Sequence, residues 1–204
     1  MKRCRKCGKP LKGHPRGRCP IIIEDSVEQL RVKEHPLYPH LSGIIKRSWR
    51  SMLTETLITG ESFHSIKSLM SPEKSGGLVG TLFELYFQRE LENLGLGLGF
   101  YVPRTKTGWG VVGNHLDVLH ISVPEHNIEI KTTREKCVSQ RRSSAQHMTS
   151  GYWLLSIQYN WENGRNELTA RFGWINPGDW CRNAGPSGLR LNDEVFWDNH
   201  ISVF

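Results

Sequence analysis

A mixed α/β (α+β) fold, with a mixed central sheet flanked by helices, is what this sequence predicts. Three observations carry it. Ile44, Ile45, Trp49, Met52, Leu53 and Leu57 recur at helical spacing. Two apolar runs, 115–123 and 127–133, read as strands whose side chains alternate between faces. Two more strand-like runs, 152–159 and 167–174, flank the pair Asn163 and Gly164, which favours a tight hairpin turn.

Taken along the chain, Ser26 is placed to cap a short helix that ends at Glu34, before Pro36. Residues 43–58 form the amphipathic helix, closed by Gly60. Residues 71–77 are Ser-, Pro- and Gly-rich and read as a loop. Residues 78–94 form a helix that is apolar nearly all round between Leu82 and Phe87, so deep packing is expected. Glu84 is the one charge in that run, and a buried carboxylate needs a cation or a strong donor. Gly95 to Gly99 end the helix. A strand over 100–104 and a glycine-containing loop over 105–114 precede the two alternating strands. Residues 133–151 are polar and basic, and 176–204 are loop-rich with a short terminal strand around 201–204.

The chain has 204 residues, enough for one sizeable core with a small appendage. No run approaches the ~20 apolar residues of a membrane span, and the first residues lack the apolar segment of a secretory signal. These features predict an intracellular, cytoplasmic protein. The net charge of +7 is unevenly spread, because residues 1–20 hold eight Lys and Arg and no acid. The same arm carries Cys4, Cys7, His14 and Cys19, separated by two, six and four residues. Three thiolates and an imidazole make a closed tetrahedral shell for structural Zn2+. The spacing is near that of a zinc knuckle, with a middle gap two residues longer. We therefore divide the chain into a zinc-binding basic arm, 1–22, and a main domain, 23–204. A basic arm of this kind suits a polyanionic partner.

The residues richest in chemistry are Asp117, Glu129, Ile130 and Lys131. Period two sends Glu129 and Lys131 to one face and Ile128 and Ile130 to the other. The link after Asp117 returns the chain so that its carboxylate sits beside them. Two carboxylates and a lysine at the ends of paired strands suit a hard cation and attack on a phosphodiester.

At these residues the chain resembles the PD-(D/E)xK nuclease superfamily, which includes many type II restriction endonucleases. Asp117 takes the place of the first aspartate, and Glu129, Ile130 and Lys131 match the ExK element. Leu116 stands where the family's name has proline. Gly80 and Glu84 resemble the Gly-x-x-x-Glu helix of mismatch-repair nucleases in that superfamily, and Glu129 to Thr132 repeat their Glu-x-Lys-Thr ending. The resemblance covers 78–160. It implies a restriction-endonuclease-like core and a prokaryotic, Mg2+-dependent double-stranded DNA endonuclease leaving 5′-phosphate and 3′-hydroxyl ends. Asp117, Glu129 and the Ile130 carbonyl would hold the metal. Lys131 would position the attacking water, and Glu84 would orient that water or Lys131. It also implies a homodimer acting on a palindrome.

Candidate DNA contacts are Arg134, Arg141 and Arg142 to phosphate or guanine, and Gln140 and Gln146 to adenine. His147 and Lys106 complete the set, and Trp109 either enters a groove beside Lys106 or packs in the core. Two alternatives stay open: a non-catalytic zinc-containing nucleic-acid-binding protein, and a repair, transposon-end or junction nuclease of the same fold.

Overall fold

The computed structural model describes residues 27–56, 72–94, 97–103, 116–133, 138–141, 150–160, 167–181 and 188–204; for 27–30, 72–77 and 139–141 the backbone alone is described. The arm with Cys4, Cys7, His14 and Cys19 lies outside these residues, as do Leu57, Gly60, the 105–114 loop and the Asn163-Gly164 turn.

Three helices come first: α1 (Val27–Glu34), α2 (Tyr38–Thr56) and α3 (Pro72–Asn93). Helix α2 buries Leu41, Ile44, Ile45, Ser48, Trp49 and Met52, the three-and-four spacing of a single face. Helix α3 buries Val79, Phe83, Phe87 and Leu91. These stripes meet, with the Trp49 and Phe83 rings 6.2 Å apart. Arg47–Glu90 (2.9 Å) and Arg89–Glu55 (2.7 Å) ion pairs join the two helices outside the seam. Such part-exposed pairs contribute little beside the apolar burial.

The strands are β1 (Phe100–Tyr101), β2 (Leu119–His120), β3 (Ile128–Thr133), β4 (Ser139–Arg141), β5 (Tyr152–Asn160), β6 (Glu167–Ile175), β7 (Trp180–Cys181), β8 (Gly188–Leu191) and β9 (His200–Ser202). A short helix, α4 (Asp193–Asp198), precedes β9. The central sheet runs β3-β5-β6-β9 and is mixed: β3 is parallel to β5, and the other pairs are antiparallel. The three long helices cover one face, packing on Ile128, Ile130, Trp153, Leu155, Ile157, Tyr159 and Phe172. The opposite face, at Tyr152, Leu154 and Ile175, is covered by Val138, Trp180, Leu191 and Phe196. These come from the connection before β4, from the small sheet β4-β8-β7 and from α4. Helices flanking a mixed sheet match the expected class.

Several local expectations are corrected. Residues 72–77, read as a loop, belong to α3. Pro72 is the first helical residue, where a missing N–H costs nothing, and continuation of a well-packed helix offsets the two glycines that follow. Helix α2 begins at Tyr38 rather than 43, with Pro39 tolerated in its first turn. Helix α3 is not buried all round: Leu82, Leu85 and Tyr86 are half-buried, Leu82 and Tyr86 at the margin of the helix-side core. The 115–123 run yields only the two paired residues of β2, and the 100–104 run only β1. Both belong to a two-stranded ribbon outside the central sheet. The tail is more ordered than expected, because its apolar residues Trp180, Leu191 and Phe196 form the second core. Among the described residues no helix is long and apolar enough to cross a membrane.

Candidate active site

Strand β3 lies at an edge of the central sheet. The segment carrying Asp117 docks on that edge through a reciprocal pair of bonds. Val118 N–H donates to Ile128 O (3.0 Å), and Ile128 N–H donates to Val118 O (2.8 Å). Asp117, 7% exposed, is thereby brought alongside β3, and its Oδ2 accepts the Ile130 N–H at 2.7 Å. On the other side of β3, Asn127 O accepts from Trp153 N–H of β5. Because a strand residue sends its N–H and C=O to the same side, Ile128 and Ile130 both face away from β5. The Ile130 carbonyl therefore leaves β3 on the Asp117 side.

Ile128 and Ile130 enter the helix-side core, and the pleat sends Glu129 and Lys131 to the opposite face. Glu129 is 5% exposed, and Lys131 Nζ donates to its Oε1. Glu84 arrives from the helix side. One turn before it is Gly80, where a Cβ would lie 2.7 Å from Thr132 Oγ1. Glycine at 80 lets α3 lie close on β3, and Glu84 follows on the same helical face. The four charged groups thus meet around the sheet edge: Asp117 beside it, Glu84 from the helix layer, and Glu129 and Lys131 from the far face.

Three carboxylates and one ammonium in a poorly hydrated site leave excess negative charge, and the proton affinities reflect this. Glu84 is pushed up to about 8, chiefly by burial and then by the Asp117 charge, with Lys131 opposing. Glu129 is raised to about 7 by burial, against the pull of Lys131. Asp117 is raised by burial too, but Lys131, the Ile130 N–H and a hydrogen bond from Glu129 hold it back. Burial disfavours the Lys131 ammonium, yet Glu129, Asp117 and Glu84 together outweigh that and keep it protonated. Lys131 is therefore a cation, not a base, at neutral pH.

The donor set fits a hard divalent cation. Mg2+ keeps several waters and takes few carboxylates, and Asp117, Glu129 and the Ile130 carbonyl are all oxygen donors. Among the described residues no three His, Cys, Asp or Glu side chains converge closely enough to hold a metal ion. Glu84 accordingly stands off from the Asp117–Glu129 pair and does not complete an all-side-chain shell.

Of the predicted DNA contacts, Gln140 and Arg141 lie on β4, opposite Leu189 and Gly188 of β8. Lys106, Trp109, Arg134, Arg142, Gln146 and His147 lie outside the described residues. Sequence reasoning missed a second polar cluster, formed by buried His35 with half-buried His120 and His126. The His126 ring is 5.2 Å from that of His35 and 5.3 Å from that of His120. His35 Nδ1 accepts the Leu37 N–H (3.2 Å), which leaves the proton on Nε2 to be donated to His126 O (3.2 Å). Burial lowers the His35 pKa to about 4. The three histidines lie 85 and 6 residues apart in sequence, so no local spacing announced them.

Compared with protein-family models and with curated proteins, the chain matches none.

Proposed function

We propose that this chain is a Mg2+-dependent, sequence-specific double-stranded DNA endonuclease of the type II restriction kind, with a PD-(D/E)xK-like core and a homodimeric working form. One observation carries the reading: Asp117, clamped by the Ile130 N–H, meets Glu129 and an ionised Lys131 at a sheet edge, with Glu84 behind them. Buried like charges are costly, and structural ion pairs seldom leave more carboxylates than cations. A site that gathers them is built to receive a cation.

Asp117, Glu129 and the Ile130 carbonyl would hold Mg2+. When bound, that ion supplies Lewis-acid stabilisation of the phosphoryl and leaving oxygens and makes a bound water acidic. Lys131 donates to the attacking water or to a non-bridging oxygen of the scissile phosphate, neutralising charge as it develops. Glu84 accepts from the same water or from Lys131 and fixes its orientation. The chain's own work is thus to orient the water and compensate charge. The arm with Cys4, Cys7, His14 and Cys19 would hold structural Zn2+ and clamp the duplex through its Lys and Arg side chains.

The test is incubation of the protein with unmethylated phage DNA and Mg2+, beside a Lys131→Ala variant and an EDTA control. Discrete fragments, lost in both controls, are the expected result. Equal cleavage by Lys131→Ala, or none by the wild type, overturns the reading.

The Lys131–Glu129 ion pair favours a second reading, in which the cluster is structural and the protein binds nucleic acid without cutting it. Tight, salt-sensitive binding with no Mg2+-dependent cleavage would select it.

A further inference from the structure

The sheet face that carries Glu129 and Lys131 changes character along its length. Strand register sets out its rows. Glu129 lies beside Leu154, Gly173 and His200, and Lys131 lies beside Ser156, Arg171 and Ser202. Thr133 lies beside Gln158 and Thr169, and the last row pairs Asn160 with Glu167. The apolar rows up to Leu154 are roofed by Val138, Trp180, Leu191 and Phe196. Past Lys131 the face is polar, and Thr169, Asn160 and Glu167 are exposed.

Two polar groups in the Lys131 row already have partners. The Ser156 hydroxyl donates to Arg171 O at 3.2 Å. The Arg171 guanidinium donates to Trp197 O (3.0 Å) and His200 O and lies 4.6 Å from the Trp197 ring centre. Gln158 differs. It is half-buried on the open row, and its amide makes no hydrogen bond among the described residues.

We propose that Gln158 is a positioning residue that binds the sugar–phosphate backbone of a nucleic-acid strand next to the phosphate held at Lys131. The inference rests on the nuclease reading and deepens it by giving the substrate strand a path. Gln158 stands one row, about 6.6 Å along the strand, from Lys131. It therefore meets the backbone beside the scissile group and not the scissile group itself. Its amide donates two N–H bonds without adding charge. Neutral donors of this kind fix register on a backbone while leaving the charge balance of the carboxylate cluster alone. The path thus crosses β3, β5 and β6 along the row of Thr133, Gln158 and Thr169.

Binding can be read without turnover. Fluorescence anisotropy would follow a mixed-sequence duplex of about 30 base pairs, roughly three helical turns, with Ca2+ replacing Mg2+. Gln158→Ala is expected to weaken binding about 3–10-fold, the loss of one or two net hydrogen bonds. Its thermal melting and the slope of log Kd against log salt should match the wild type, because an amide releases no counterion. Gln158→Lys is expected to regain affinity and steepen that slope by about one. A structural role for Gln158 would move melting and would not add a phosphate contact. Wild-type affinity in Gln158→Ala, or failure of Gln158→Lys to steepen the slope, overturns the proposal. If the wild type cleaves DNA and Gln158 variants bind normally, the inference alone falls. If Gln158 variants respond as stated but no cleavage occurs, the nuclease reading falls and the strand path stands. A wild type that does not bind the duplex removes both.

Discussion

The histidine cluster lies just before β3, at His126, and the carboxylate cluster is centred within the strand, at Glu129 and Lys131. His35, Asp117 and Glu129 are buried, whereas His120 and His126 are half-buried; both clusters are made of ionising groups, and both join the helices to the segment between Asp117 and His126. Their internal bookkeeping differs. In the histidine cluster, backbone amides choose the tautomers: Leu37 N–H occupies Nδ1 of His35, and the Ser122 and Val123 N–H groups (3.2 and 3.0 Å) occupy Nδ1 of His120. Burial lowers the proton affinity of His35 and of His126, and His35 packs edge-on to Trp153 and Phe172. In the carboxylate cluster one ammonium faces three carboxylates, and burial raises the proton affinity of each. A polar cluster with no carboxylate in it gathers no surplus negative charge, even with His126 Nδ1 left without a hydrogen bond among the described residues. One left with surplus charge stores unfavourable energy that a cation releases. That difference, and not burial as such, sets the candidate site apart from the histidine cluster.

The strongest test of the contrast removes its one cation. Lys131→Ala should lower cleavage by about 10³-fold or more, in line with loss of a transition-state donor, while a plasmid-cleavage assay of a His35→Phe variant shows near wild-type rates at neutral pH. A comparable loss in both would mean that the histidines belong to the site.

The next effect is on acid stability. His35 and His200 are both neutral in the fold, with pKa values lowered by burial to about 4 from an ordinary 6.5. The unfolded chain takes up protons first, so stability present above pH 6.5 is lost as pH falls towards 4. Each contributes at most about 3 kcal/mol. Urea titrations between those limits should show a shallower fall for His35→Phe than for the wild type.

The carboxylates slope the other way. Glu84 and Glu129 keep protons in the fold up to about 8 and about 7, whereas an unfolded glutamate loses its proton near 4.5. Stability without metal therefore declines as pH rises from 4.5 to 8. Between 4.5 and 6.5 the two slopes oppose, so the carboxylate slope is cleanest from 6.5 to 8. There it should be on the order of 2 kcal/mol, flattened by Glu84→Gln and by Mg2+. Melting curves with no pH slope in that window would show the carboxylates to be hydrated.

The smallest effect lies in how the site is held. Gly80→Ala places a methyl against Thr132 Oγ1. Overpacking of about 1–3 kcal/mol, less about 1 kcal/mol of helix propensity, leaves roughly 1 kcal/mol of net destabilisation. Thr132→Ala in the same chain should restore most of it in a chemical-denaturation double-mutant cycle. Additive losses would mean that α3 does not touch β3 there.

Much of this was readable in the residues. The periodicities of 43–58, 152–159 and 167–174 survive as α2, β5 and β6, because each buries one face against the core and the pattern follows the burial. The alternation of Glu129 and Lys131 with Ile128 and Ile130 is also realised. The 115–123 run misled, because apolar residues there serve a single bridge and a short ribbon, and composition does not separate a docked loop from a strand. Pro72 and the glycines after it read as punctuation, while α3 takes Pro72 at its first position and Gly76 and Gly77 in its second turn. Gln158, Arg171 and the histidine cluster depend on which strands are neighbours. For Gln158 and Arg171 that information lies in the register of β3 with β5 and of β5 with β6, and for the histidines in the packing of the chain after α1 against the β1–β2 ribbon and the turn before β3; no local window contains either.

The orientation of the Ile130 peptide has a consequence for how such a site can be dissected. In the proposed metal shell one ligand is a main-chain oxygen, so it survives every exchange of the Ile130 side chain and is invisible to alanine scanning. It can evolve only through the path of the backbone, which Asp117 pins by accepting the N–H. An ester in place of the amide between Ile130 and Lys131, introduced by semisynthesis, would weaken that oxygen while leaving all side chains in place. The ligand is inherited with the strand itself, not with any residue chosen to fill it.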